Sequence, residues 1–306
     1  MRASSTLKLS LATVVFIAAC GDSKSSETSV ALKPKITISS TTDPTSETIA
    51  EIYGQALEKA EYRVARKKAY ANSGDLLTAL DSGDVQLSGM TTQALFGLVQ
   101  TPSATPPAVP NTTAAQTESI AKLLPTNLKM GVPTSAEDKD IVFCAKTFAD
   151  TNSIVTLTDL GTKPGIATLA APTGFETSTP LGSAGLKQLY NIDFKAVVPT
   201  TIDKVVAAVN AGTADCGVGR SADPVLGVAT LTILQDDKAL VPDDVIVPVY
   251  STQIGSDDIL SVIDDTSARL TPDSLRAIEA RLKTDGASPE IVANEFIGTA
   301  GVAGQS

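Results

Sequence analysis

Hydrophobic and polar positions along the chain fall into short alternating runs separated by amphipathic stretches. Lys35–Ser40 (KITISS) alternates at period two and predicts a strand. Thr45 or Ser46 then caps a helix to about Ala60, with apolar positions at Ile49, Ile52, Tyr53 and Leu57 on one face. The alternation continues with a strand over Tyr62–Lys67, a helix over Gly74–Ser82 stopped by Ser82-Gly83, a strand at Val85–Leu87 and a helix over Thr91–Val99. A Pro-rich loop follows at Thr101–Thr113, then a helix at Thr117–Leu124. The middle of the chain repeats the pattern. Strands are expected at Ile141–Lys146, Ile166–Ala171, Phe194–Pro199, Asp215–Val218 and Leu231–Leu234, with a turn opening at Leu157–Leu160 and helices at Gly182–Tyr190 and Thr201–Ala211. The chain closes with a strand at Val245–Tyr250 and helices at Asp257–Ala268, Pro272–Thr284 and Pro289–Ile297. Alternating strands and helices specify an α/β chain with mostly parallel sheets. Two such runs, divided by the strand near residue 141, imply two lobes, with the closing helices returning to the first. In open parallel sheets the ligand site lies beyond the carboxyl ends of the strands.

The amino terminus reads differently. Arg2 and Lys8 precede an apolar run, Leu9–Ala19, that is too short to span a bilayer, which takes about 20 residues. It ends in Ile17-Ala18-Ala19-Cys20, which resembles the bacterial lipobox. That resemblance implies a signal peptide over residues 1–19, lipid on Cys20, and a protein anchored outside the cytoplasm, since two or three acyl chains at about 0.8 kcal/mol per buried methylene hold firmly. Residues 20–34 are polar and Ser-rich, a tether with an end-to-end reach of roughly 20 Å.

Once Arg2 and Lys8 leave with the leader, 34 acidic residues face 22 basic ones, a net of −12. Such a body is repelled by nucleic acid and by anionic lipid surfaces. The sequence contains no histidine. This removes the usual general base, the Ser-His and Cys-His dyads and most zinc sites, so neither an enzyme, a metal nor a cofactor is expected. Of three cysteines, lipidation of Cys20 leaves Cys144 and Cys216, each in a strand-like apolar context. A structural disulfide between them is expected in an oxidising compartment; two buried free thiols are the alternative.

Several segments resemble the substrate-binding proteins of glycine betaine, choline and proline betaine ABC importers. They are Lys35–Ser40 with Glu51–Glu58, then Leu76–Val85, then Phe175-Glu176-Thr177 with Gly185–Tyr190 and Asp193-Phe194, then Leu234–Lys238, Val247–Val249 and Ala268–Thr271. The resemblance spans residues 35 to 299 and rests on the order and spacing of these segments. It implies a two-lobed periplasmic-binding-protein fold of type II-like character, each lobe a mostly parallel sheet flanked by helices. The lobes would comprise residues 35–138 with 240–306, and residues 139–239. It also implies a monomer that carries a small solute to a membrane permease.

Members of that family hold a quaternary ammonium in a box of aromatic rings and grip a carboxylate with Lys or Arg. This chain has no Trp and five Tyr. Thr41 stands where the family has a Lys, Met90-Thr91 where it has a Tyr, and Ser178 where it has an Arg. The box reads as dismantled and the ligand as diverged; weak betaine or choline binding through carboxylates and Tyr70 is the alternative. The residues expected around the cleft are Thr41, Thr42, Asp43, Tyr70, Asn72, Ser73, Met90, Thr91, Asp138, Asp140, Glu176, Thr177, Ser178 and Arg220. Arg220 is placed to meet an anionic or polar group of the ligand, or else to pair with a neighbouring acid. An orphan lipoprotein using the same fold as a sensor or interaction module is the reading outside transport.

Overall fold

The computed structural model describes residues 33–100 and 108–299. The leader, Cys20, most of the tether and part of the Pro-rich loop lie outside the described residues. Lys33, read as part of the tether, already contacts the body: its ammonium donates to Ala60 O at 2.6 Å and stands 4.4 Å over the Tyr62 ring.

Strand β1 (Lys35–Ile38) leads into α1 (Pro44–Lys59), β2 (Arg63–Arg66), α2 (Ser73–Asp81), β3 (Leu87–Thr91), α3 (Thr92–Val99), α4 (Thr113–Leu123) and β4 (Leu128–Met130). After a crossing segment come β5 (Asp140–Ala145), α5 (Lys146–Asn152), α6 (Leu157–Gly161), β6 (Thr168–Pro172), α7 (Ser183–Tyr190), β7 (Ala196–Thr200), α8 (Val205–Asn210), β8 (Cys216–Arg220) and β9 (Leu231–Ile233). The chain then crosses back to β10 (Ile246–Ser251), α9 (Asp257–Arg269), α10 (Pro272–Lys283) and α11 (Pro289–Thr299).

These strands form two five-stranded sheets, ordered β2-β1-β3-β10-β4 and β7-β6-β8-β5-β9. In each, four strands run the same way, and the strand arriving from the other half runs antiparallel to both of its neighbours. The two-lobed, mostly parallel α/β architecture is the one expected. The closing helices pack against the first sheet: Ile259, Ile263, Leu275, Ile278 and Val292 share one buried cluster with Ile36, Ile52 and Leu57. Inside that cluster the Tyr53 hydroxyl and Ser267 Oγ are hydrogen-bonded at 2.8 Å. Burial pushes the Tyr53 phenol far above its ordinary range. In the second half Cys144 and Cys216 face each other across β5 and β8 and are joined in a disulfide.

Local chemistry accounts for several departures from the expected boundaries. The cap of α1 is Asp43, whose carboxylate accepts from Ser46 N at 2.9 Å with Pro44 at the first helical position; neither Thr45 nor Ser46 is the cap. Strand β3 begins at Leu87, so Val85 is a buried residue on the approach and Gln86 N donates to Thr37 O. Residues 157–160, expected to open a turn, lie in α6, started by a capping box between Thr156 and Asp159. The helix expected over 201–211 divides into a 3-10 turn at Ile202–Lys204 and α8. Strand β4 and helix α5 are short elements that the apolar pattern did not signal.

Candidate functional site

The carboxyl ends of β1 and β3 open onto a cavity of about 420 Å³. Several separate parts of the chain line it. The turn after β1 and the first turns of α1 give Thr41, Asp43, Thr45, Ser46 and Ile49. The start of α2 gives Ser73 and Leu76, and the end of β3 with the start of α3 gives Gly89, Met90, Thr91 and Ala94. The crossing segments supply Asp138 and Asp244, β10 supplies Ile246, and α10 supplies Leu275, Glu279, Leu282 and Lys283. Gly89 is required by packing: a Cβ there would sit 2.4 Å from Ile49 Cγ2, so a larger residue would push α1 off the sheet.

The charged groups of this lining have distinct environments. Asp43 is committed to capping α1. Asp138 pairs with Arg220, whose Nη2 lies 3.1 Å from its Oδ2, and Ala222 N donates to its Oδ1 at 3.2 Å. Arg220 also reaches Asp140 Oδ1 at 3.3 Å. Asp244 accepts from Gln93 N at 3.0 Å, and burial pushes its carboxyl up despite that bond and one from Thr91. Glu279 is buried; its Oε1 accepts from Thr45 Oγ1 at 2.5 Å, and Lys283 Nζ lies 2.5 Å from its Oε2.

Beside the cavity the two crossing segments are tied by a second charged group. Lys139 Nζ stands 2.9 Å from Glu137 Oε1 and 3.0 Å from Asp243 Oδ1. Burial pulls the Lys139 ammonium down, but the two carboxylates outweigh it and hold it above the ordinary lysine range. Burial raises Glu137 more than Lys139 lowers it, whereas Asp243, despite burial, is held low by Lys139 and by Thr113. Ser221 adds a polar stitch, accepting from Lys139 N and donating to Glu137 O, both at 3.0 Å, while its carbonyl accepts from Arg276 Nη1 of α10 at 2.9 Å.

A second cavity, of about 310 Å³, lies at the carboxyl ends of β6 and β8 and is lined by Asp140, Phe175, Ser178, Leu181, Ile202 and Arg220 among others. The expected residues therefore divide. Thr41, Asp43, Ser73, Met90, Thr91 and Asp138 line the larger cavity; Asp140, Ser178 and Arg220 line the smaller one. Thr42, Tyr70, Asn72, Glu176 and Thr177 line neither. Thr42 N donates to Tyr70 O and Tyr70 N to Ser40 O, which zips two loops together, and the Tyr70 ring packs on the cluster around Leu76. Asn72 caps α2, while Glu176 and Thr177 lie exposed on a 3-10 turn. Arg220, read from sequence as either a ligand contact or an ion-pair partner, makes the ion pairs.

Sequence reasoning missed Thr45, Ser46, Asp244, Glu279 and Lys283. For α10 a signal existed: Leu275, Glu279, Leu282 and Lys283 follow the spacing of a single helix face, and a carboxylate on an apolar face invites a function. Asp244, in a polar loop, gave no such signal.

Two sheets with reciprocal crossing strands, and a cavity beyond their carboxyl ends, define the class of two-lobed solute-binding proteins. Residues 34–299 match the OpuAC family, the substrate-binding domain of ABC-type glycine betaine transport systems, and the chain belongs to that family. The fold is similar to a crystal structure of a glycine betaine/carnitine/choline ABC transporter, with a TM-score of 0.73 at 18% identity over 86% of this chain and 98% of the other. It is also similar to apo YehZ from Escherichia coli, with a TM-score of 0.68 at 17% identity over 87% of this chain and 99% of the other. At such identities these likenesses speak to the fold. No curated protein sequence matches the chain. Among the described residues, no helix is long and apolar enough to cross a membrane, and no group of three or more acidic or cysteine side chains could hold a metal ion.

Proposed function

We propose that this chain is a lipid-anchored receptor outside the cytoplasm that delivers a small polar solute to an ABC permease, and that its solute is no longer a betaine. In this reading residues 35–138 with 240–306 and residues 139–239 are two lobes hinged at the crossing segments. The two cavities are the facing walls of the crevice that closes on the solute. Family membership supports the transport role. The observation that carries the altered ligand is the lining of the larger cavity: carboxylates, one ammonium, hydroxyls and aliphatic side chains, with no aromatic ring among its described residues. A quaternary ammonium gains its affinity from aromatic faces, which this wall does not offer.

Calorimetric titration with glycine betaine, choline, polyols, sugars and amines tests the reading. Saturable binding of a non-betaine solute is the expected result, and high-affinity glycine betaine binding would overturn the altered specificity. The anchor is tested separately: Cys20→Ser should move the protein from the membrane fraction to the released fraction.

A further inference from the structure

Taking the larger cavity as the solute site, its charges narrow the class of solute. Four carboxylates and one ammonium line it. Asp43 is engaged in a helix cap and Asp138 is matched by Arg220, which leaves Asp244 and Glu279. The hydrogen-bond donors that reach Asp244 are neutral, a backbone amide and a threonine hydroxyl. Glu279 is 6% exposed, yet its cationic partner Lys283 has a side chain that is 68% exposed. A buried carboxylate is thus balanced by an ammonium on a flexible, solvated stem, an arrangement that a second ammonium can replace without uncovering a charge. Ile49, Leu76 and Leu275 supply an apolar wall beside these acids, suited to an aliphatic chain.

We propose that the solute is a small aliphatic cation bearing N–H donors, held by Asp244 and Glu279, with its ammonium competing with Lys283 for Glu279. Carboxylates reward N–H donors through charge-assisted hydrogen bonds, which a fully alkylated nitrogen cannot make. The sign of the Lys283 contribution separates this from recognition of a zwitterion: against a solute carboxylate Lys283 would attract, whereas against a solute ammonium it competes.

The test is calorimetric titration of the full chain and two variants with 1,4-diaminobutane, choline, glycine betaine and sorbitol. Saturable binding of 1,4-diaminobutane is expected, weakened at least tenfold by Asp244→Asn and strengthened severalfold by Lys283→Met. Because Lys283 is exposed, its replacement keeps the proposal testable if Asp244→Asn impairs folding. Weaker amine binding in Lys283→Met, or preference for choline or glycine betaine over the diamine, overturns the proposal. Binding of sorbitol alone also overturns it but leaves the receptor reading standing. No saturable binding by any of the four overturns the proposal, and the receptor reading then falls only if the wider panel with sugars and other amines also fails to bind.

Discussion

Strand β10 pairs with β3 over five residues, and β5 pairs with β8 over five, in the same antiparallel sense. The matched positions carry different chemistry. At the end near the cavities, Ile246 faces Thr91 in the first half, where Asp140 faces Arg220 in the second. At the far end Tyr250 faces Leu87 in the first half, where Cys144 faces Cys216 in the second. One strand plan is therefore closed by apolar packing in one copy and by a covalent bond in the other. The first half can rely on packing because α9, α10 and α11 cover its sheet and enlarge its core. The second half is covered by the shorter helices α5 to α8 and builds a smaller core, which benefits more from a cross-link.

The largest effect should come from breaking that cross-link. Its cysteines are 72 residues apart, and the Cys144→Ala, Cys216→Ala double variant should lose about 4 kcal/mol by chain entropy. Urea unfolding should then show the second half melting before the first; an equal shift of the whole molecule in one transition would mean that the halves are not separately stabilised. Ile263→Ala is the counterpart in the first half. The side chain, on α9, is fully buried in the cluster that α1 and β1 share, and its loss should cost about 3 kcal/mol, read from the same unfolding curve. If instead it lowers the second half equally, the contrast fails.

Tyr53→Phe is a finer probe of the first half. It removes the bond to Ser267, which still donates to Ile263 O at 2.9 Å, so a loss of about 1 kcal/mol is expected in thermal or urea unfolding. The crossing segments give a pH signature. Asp243 is held below its unfolded value, so its stabilisation is present above the ordinary carboxylate pKa of about 3.9 and is lost as pH falls through its lower folded value. Glu137 and Asp244, held above theirs, act oppositely: lowering the pH through their raised values relieves a cost. Asp243→Asn should therefore flatten the acid limb of stability against pH below about 4, whereas Glu137→Gln should change only the region above it. Acid limbs that coincide in both variants would remove the distinction. The smallest effect on stability should be that of Arg220→Met. The guanidinium is half-exposed, so despite its pairs with Asp138 and Asp140 the melting change should stay within about 1 kcal/mol.

Much of the fold was legible because periodicity is a local property. The helix faces of α1 and α10, the alternating run at β1 and the paired strand contexts of the two cysteines each showed in a few neighbouring residues. Short elements were harder: β4, three residues long, and α5, with one buried residue, bury too little to leave a pattern. The candidate site was half legible. Residues at or after the end of a strand, such as Thr41 and Thr91, could be placed from the rule that sites lie beyond carboxyl ends, and Asp138 from its place at the lobe crossing. Tyr70 and Asn72 satisfy the same rule, but the chain uses them to fasten loops and cap a helix, and that depends on side-chain direction.

By itself the sequence determined the α/β class, the twofold run of strands and helices, the acidity of the body, and the absence of histidine and tryptophan that sets bounds on its chemistry. Tertiary structure decided which acids share a cavity. Glu279 and Lys283 arrive from a helix more than two hundred residues beyond Thr41, and Asp244 from the returning crossing segment. Their meeting depends on how α10 packs beside α1 and on where the chain re-enters the first sheet. Those are long-range contacts, fixed by the shared core and not by any local spacing.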